Sequence, residues 1–195
     1  MKKFIASALM LFAASTATFA QHEVGSFTLQ PKVGMNITNI TNGNSDARVD
    51  FTGGLEGEYQ VTDIFSLSAG VMYSRQGYKG KDYTENVLGQ EVSYKAADWK
   101  PSYINVPILA NVYMVKGLAV KLGVQPGFMV DKDEAKDVNT FDLSIPVGLS
   151  YEYSNFVLDA RYNWGVTKIN KHDYSDGKDN RNSVFQITLG YKFDL

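Results

Sequence analysis

Residues 182–195 read NSVFQITLGYKFDL, and their character switches at almost every step. Phe185, Ile187, Leu189, Tyr191 and Phe193 fall on one side of an extended chain. Gln186, Thr188, Gly190 and Lys192 fall on the other. Successive side chains of a strand point to opposite faces, so the stretch predicts a β-strand with one apolar and one polar face. Such a strand cannot stand alone. Its backbone needs neighbours, and its aromatic row needs an apolar medium.

Seven stretches upstream repeat the pattern. Residues 26–38 set Phe27, Leu29, Val33, Met35 and Ile37 against Gln30, Lys32, Gly34 and Asn36. Pro31, which has no ladder N–H, marks an irregularity near that strand's start. Residues 51–61 set Phe51, Leu55, Tyr59 and Val61 against Thr52, Gly54, Glu56, Glu58 and Gln60, and 65–76 set Phe65, Leu67, Ala69, Val71 and Tyr73 against Ser66, Ser68, Gly70, Ser74 and Gln76. In 99–114, Ile104, Val106, Ile108, Ala110 and Val112 oppose Asn105, Pro107, Leu109, Asn111 and Tyr113, the least polar of the inward rows. Residues 118–130, 140–153 and 156–165 complete the set, placing Lys121, Asp142, Glu152, Asp159 and Arg161 in the polar rows.

The connections alternate long and short. Polar loops at 39–50, 77–98, 131–139 and 166–181 are separated by tight turns at Thr62-Asp63, Lys116-Gly117 and Ser154-Asn155. At the front of the chain, Lys2 and Lys3 precede a short apolar run from Phe4 to Ala14, and Thr18-Phe19-Ala20 offers a small-residue cleavage site. Residues 1–20 are therefore expected to be a cleaved signal peptide, and 21–195 one barrel domain beginning at Gln21. Without Lys2 and Lys3, 17 of the 19 basic residues face 21 acidic ones, a balance of −4. That mild acidity argues against nucleic acid, which rewards clustered Lys and Arg. With no Cys there is neither a disulfide framework nor a lipidation site.

Eight amphipathic strands fit either a soluble barrel with its apolar face inward or a membrane barrel with that face outward. Three features favour the membrane. Short turns alternating with long loops are the habit of outer-membrane barrels, whose short turns face the periplasm. About ten residues at about 3.4 Å each, tilted about 40°, span about 26 Å, the height of the apolar band. The aromatics also collect at strand ends. Phe27, Tyr59, Phe65, Tyr151, Phe156 and Phe193 mark the short-turn end; Phe51, Tyr73, Phe128, Phe141 and Trp164 mark the loop end. Two aromatic girdles around an aliphatic waist match the two interfaces of a bilayer. The polar rows, rich in Gly and Ser, suit a narrow lumen better than a solvated surface. The expected fold is all-β: an eight-stranded antiparallel up-and-down transmembrane β-barrel with short periplasmic turns and long external loops, in the outer membrane of a Gram-negative envelope.

YINVPILANVY at 103–113, LDARYNWG at 158–165 and the closing LGYKF at 189–193 come in an order and spacing that carry a resemblance. The chain resembles, over its whole mature length, the outer-membrane β-barrel proteins known as porin-family or PorT-like. The resemblance implies an integral outer-membrane barrel, commonly eight-stranded and mostly of unassigned function. Its expected partners are outer-membrane lipid and lipopolysaccharide, the barrel-assembly machinery, and a surface or envelope protein. Many such barrels end on the aromatic itself, whereas here Asp194 and Leu195 follow Phe193.

The inward rows collect Lys32, Glu56, Glu58, Lys121, Glu152, Asp159, Arg161 and Lys192, four of each sign, with Asp142 as an extra acid near the loop end. Eight strands enclose a space that side chains can fill, and unpaired charge there is costly. A plug of cross-lumen ion pairs is the preferred reading; a selective polar channel, making the protein a small porin or transporter for polar solutes, is the alternative. No enzyme chemistry and no cofactor are expected. His22 sits beside the cleavage site, and His172, near Asp173 and Ser175, lacks the separated partners of a triad. Asp131, Asp133, Glu134 and Asp137 offer oxygen ligands but lack the glycine and spacing of a calcium loop, so no metal site is assigned. Tyr78, Tyr83, Tyr94 and Trp99 surround the longest loop, either as an exposed recognition surface or as rings packed on an extended hairpin.

Overall fold

The computed structural model describes residues 22–41, 45–87, 90–94, 96, 98–133, 138–169 and 180–195. The expected signal peptide, His172 with its neighbours, and Glu134 and Asp137 lie outside them. Eight strands form the body: β1 Phe27–Ile40, β2 Arg48–Thr62, β3 Phe65–Arg75, β4 in two segments Ser102–Asn105 and Ile108–Val115, β5 Leu118–Asp131, β6 Phe141–Tyr153, β7 Phe156–Gly165 and β8 Asn182–Tyr191, which Phe193–Asp194 prolongs. Each pairs antiparallel with the next in sequence. β8 then returns to β1, from Ile40↔Asn182 to Lys32↔Gly190 and on to Leu29↔Phe193 and Thr28↔Asp194, which closes the barrel.

Alternation in sequence becomes alternation in burial, with the usual polarity reversed. Lys32 is 2% exposed and Glu56 1%, while Val33 is 58% and Leu189 52% exposed. The apolar rows run round the whole outer wall, a continuous surface far larger than a soluble monomer tolerates. Among the described residues no helix is long and apolar enough to cross a membrane; in this fold the crossing is made by strands. Aromatic pairs sit at both rims of the outer wall. Phe128 and Phe141 lie 5.6 Å apart at the loop end, and Phe156 and Tyr191 5.1 Å apart at the short-turn end.

The structure corrects three boundaries. The fourth strand, expected as one run over 99–114, is interrupted at Val106-Pro107. Pro107 has no N–H for the ladder, yet Val106 N–H donates to Pro126 O at 2.8 Å and Gly70 N–H to Pro107 O at 3.0 Å, so parity survives the break. Trp99 lies before the strand and joins Tyr78 in an isolated bridge. The first external loop is shorter than expected, because β1 runs to Ile40 and β2 starts at Arg48; within it Ser45–Asp46 pairs with Lys79–Gly80. The longest loop carries its own hairpin, Tyr83–Val87 with Gln90–Tyr94.

Tight curvature brings neighbouring backbones close on the inner face. A Cβ on Gly34 would stand 1.9 Å from the Ile187 carbonyl oxygen, so that position admits no side chain without moving β8. Gly34→Ala is expected to lower unfolding stability by about 1–3 kcal/mol, an overpacking cost. Val33→Ala, one residue away on the lipid face, should shift the midpoint less. Urea unfolding of the refolded protein in lipid vesicles measures both.

Candidate functional site: the filled lumen and its two mouths

The lumen is packed in levels. In the middle, Glu56 on β2 and Asp159 on β7 sit among three cations. Lys32 Nζ is 2.9 Å from Glu56 and 3.7 Å from Asp159. Lys121 Nζ is 3.2 Å from Glu56 and 3.1 Å from Asp159. Arg161 donates to Asp159 through Nε and Nη2, each at 2.8 Å, and through Nη2 to Glu56 at 3.1 Å. These side chains come from β1, β2, β5 and β7, so the cluster ties opposite walls together. Register makes room for them. Lys32 faces Gly54 and Gly190 across the ladders, Glu56 faces Gly70, and Gly148 lies between Lys121 and Arg161. Long side chains beside missing ones fill a narrow barrel without overlap.

Toward the short turns a second cluster is acidic. Lys192 Nζ bridges Glu152 at 2.7 Å and Glu58 at 3.0 Å, and the hydroxyls of Ser66 and Tyr113 donate to Glu58. His22, ahead of β1, places Nε2 3.0 Å from Glu152 Oε1 and Nδ1 2.9 Å from Asp194 Oδ1. Its hydrogen bond with Glu152 raises the imidazole above its ordinary range, against the opposing cost of burial.

Toward the loops the lining turns neutral. Asn36 Nδ2 donates to Ser74 Oγ at 2.7 Å, and Gln186 Nε2 donates to Asn36 Oδ1 at 3.1 Å and Thr52 Oγ1 at 3.0 Å. Beyond this layer the outer mouth is stoppered by apolar side chains: Ile40, Trp99, Tyr103, Met129, Val138 and Ile169, with Tyr78 packed against them. Trp99 Nε1 donates to Lys132 O at 2.9 Å, and the backbone N–H of Lys100 to Asp133 Oδ2 at 2.7 Å, which fastens the long loop over β5.

All eight charges read from the inward rows are thus inside and in contact with opposite charge. Asp142 stands apart from both ionic clusters. It accepts from Thr167 Oγ1 and from Asn182 Nδ2 at 3.2 Å. The four aromatics divide. Trp99 is 8% exposed, within the stopper, and its ring lies 6.0 Å from that of Tyr78. Tyr94 is 40% exposed on the outer hairpin, where its backbone pairs with Tyr83. Sequence reasoning passed over His22 and the stopper. Ile40 and Met129 had a signal: both carry inward parity at the loop end of strands whose inward rows are otherwise polar or small. Among the described residues no group of three or more His, Cys, Asp or Glu is placed to hold a metal ion.

Comparison with known proteins fits this architecture. The model of the outer membrane protein beta-barrel domain matches residues 19–171. Among solved structures, Ail, the attachment invasion locus protein of Yersinia pestis, in complex with the heparin analogue sucrose octasulfate, aligns at a TM-score of 0.52 and 16% identity, covering 88% of this chain and 100% of that one. Neisserial surface protein A aligns at 0.51 and 20% identity, covering 86% and 97%. At these identities the likeness concerns the fold. No curated protein matches the chain in sequence. A closed eight-stranded barrel with an apolar exterior and a polar interior, matched by that model over most of its length, belongs to the outer membrane protein beta-barrel domain family.

Proposed function

We propose that this chain is a closed, side-chain-filled outer-membrane barrel whose role is structural or a surface interaction made through its external loops. The observation that carries the reading is the continuous filling of the lumen: an acidic rim cluster, a five-residue ionic core, a neutral polar layer and an apolar stopper. Eight-stranded barrels leave little space once their side chains are placed, and these are paired across it. The outer hairpin with Tyr94 is the feature best placed to meet a partner, which we take to be a surface or envelope protein. Ail and neisserial surface protein A, by name an attachment protein and a surface protein, share the fold.

The rest of the proposal follows from the same reading. Residues 1–20 direct export and are removed. The outer wall meets outer-membrane lipid and lipopolysaccharide after insertion by the assembly machinery. The protein is not an enzyme, and its narrower affiliation is with the porin-family or PorT-like barrels. A small porin or transporter for polar solutes is the competing reading, favoured by the polar lining that continues through three of the four levels.

Conductance of the refolded mature protein in a planar bilayer separates the two. The closed barrel gives silence together with a heat-modifiable folded band; steady, salt-dependent steps would replace it with the porin. Trp99→Ala removes part of the stopper and should stay silent, because the ionic layers beneath persist. Glu56→Gln removes one partner from a buried cluster and is expected to cost about 3–5 kcal/mol in urea unfolding. It should also begin to leak, whereas in an open pore the same change would chiefly alter ion selectivity.

A further inference from the structure

Ahead of β1 the chain turns back over the short-turn rim. Ser26 N–H donates to Glu23 O at 2.9 Å, Gly25 N–H to Gln60 O at 2.8 Å, and Gln60 N–H to Ser26 O at 3.0 Å. From there His22 reaches Glu152 on β6, three strands round the barrel from β1, and Asp194 beside β8. The segment therefore lies across the opening, with its imidazole largely buried between two carboxylates.

The geometry favours the charged ring. Ionised carboxylates only accept hydrogen bonds, and a neutral imidazole has a single N–H. The Nε2–Glu152 hydrogen bond at 3.0 Å and the Asp194 carboxylate 2.9 Å from Nδ1 are best matched by the imidazolium, which offers an N–H and positive charge to both. The surroundings agree. At this rim Lys192 pairs with Glu58 and Glu152, Lys121 of the middle cluster also acts on Glu58, the Tyr113 hydroxyl donates to Glu58, and Asp194 and Glu23 are exposed to solvent. The middle cluster holds three cations against two carboxylates. A proton on His22 brings the sum over both clusters to zero.

We infer that residues 22–26 are a proton-dependent latch across the periplasmic mouth, with His22 as its catch: shut while the ring holds both protons, released when it loses one. A neutral ring loses its ionic attraction to both carboxylates, and the rim becomes more negative by one charge. The folded imidazole is raised above its ordinary range, so the latch's contribution to stability is complete below about pH 6.5 and is lost as pH climbs through the folded value. Release opens Glu152 and Lys192 to periplasmic water. The latch rests on the barrel's orientation and not on the lumen being closed.

Because the chain has no cysteine, Glu23→Cys and Lys116→Cys supply the only two labelling sites, both on exposed positions at the rim. In a His172→Gln background His22 is the sole imidazole. Interspin distances are then measured by pulsed electron resonance on the refolded mature chain in lipid nanodiscs, at about pH 5.5 and about pH 9. A single narrow distance at the lower pH and loss of that component at the higher one is expected. His22→Ala should lack the narrow component at both, and His22→Lys, charged throughout, should keep it at both. A narrow distance at both pH values in the parent and in His22→Ala would overturn the latch, since the Gly25–Gln60 backbone bonds alone would then hold the segment. Should His22→Ala fail to fold, His22→Lys decides: if it loses the narrow component at high pH as the parent does, another group titrates and the assignment is wrong.

Discussion

Glu56 is held by three cations at once, and much of the molecule can be understood from the need to make that arrangement tolerable. A carboxylate that deep inside a narrow barrel has no water to fall back on, so its partners must arrive from several walls. Lys32, Lys121 and Arg161 do so from β1, β5 and β7, and each approach depends on a glycine across the ladder. The cluster acts as a set of spokes. Bonds along the wall define the cylinder, and the ionic spokes fix its cross-section. An apolar filling would also occupy the space, but would not discriminate against a shifted register.

The remainder of the fold is the complement of that interior. With charge and amides turned inward, the outer wall is free to be apolar from rim to rim, and lipid takes the place a hydrophobic core takes in a soluble domain. Apolar side chains such as Leu109 and Val157 are buried singly along the inner wall, and the apolar cluster of the interior lies at the outer mouth. There Trp99, Tyr103 and Met129 close off a region where the strands give way to loops and the ionic layers have ended. The two ends are packed by different physics, apolar contact at the outer mouth and charge at the short-turn rim.

The fold was legible because burial parity is written residue by residue. A strand such as 182–195 announces its two faces, and eight repeats with alternating turn lengths leave few other architectures. The identity of the inward charges followed from the same parity. Their partners did not: which carboxylate meets which amine depends on shear between strands distant in sequence, and alternation carries no information on shear. Two features were read too simply. Pro107 lies in a row of correct parity, so the interruption of β4 left no trace in the pattern. His22 precedes the first strand, where parity has no meaning, and only the closed cylinder brings it to Glu152. The stopper was half-legible, through the inward parity of Ile40 and Met129; Val138 and Ile169 come from loops that have no period.

The junction of β1 with β8 differs in kind from the other seven. Every other ladder of the barrel joins strands consecutive in the chain, so each can zip as a local hairpin soon after its residues are available. The seam alone pairs the first barrel strand with the last, and its final rungs, Leu29↔Phe193 and Thr28↔Asp194, need residues that follow every other strand of the barrel. Until then the sheet has two open edges and an apolar face without a sealed interior. Circularisation is thus the entropically expensive closure of this fold, since it joins strands separated by all the others.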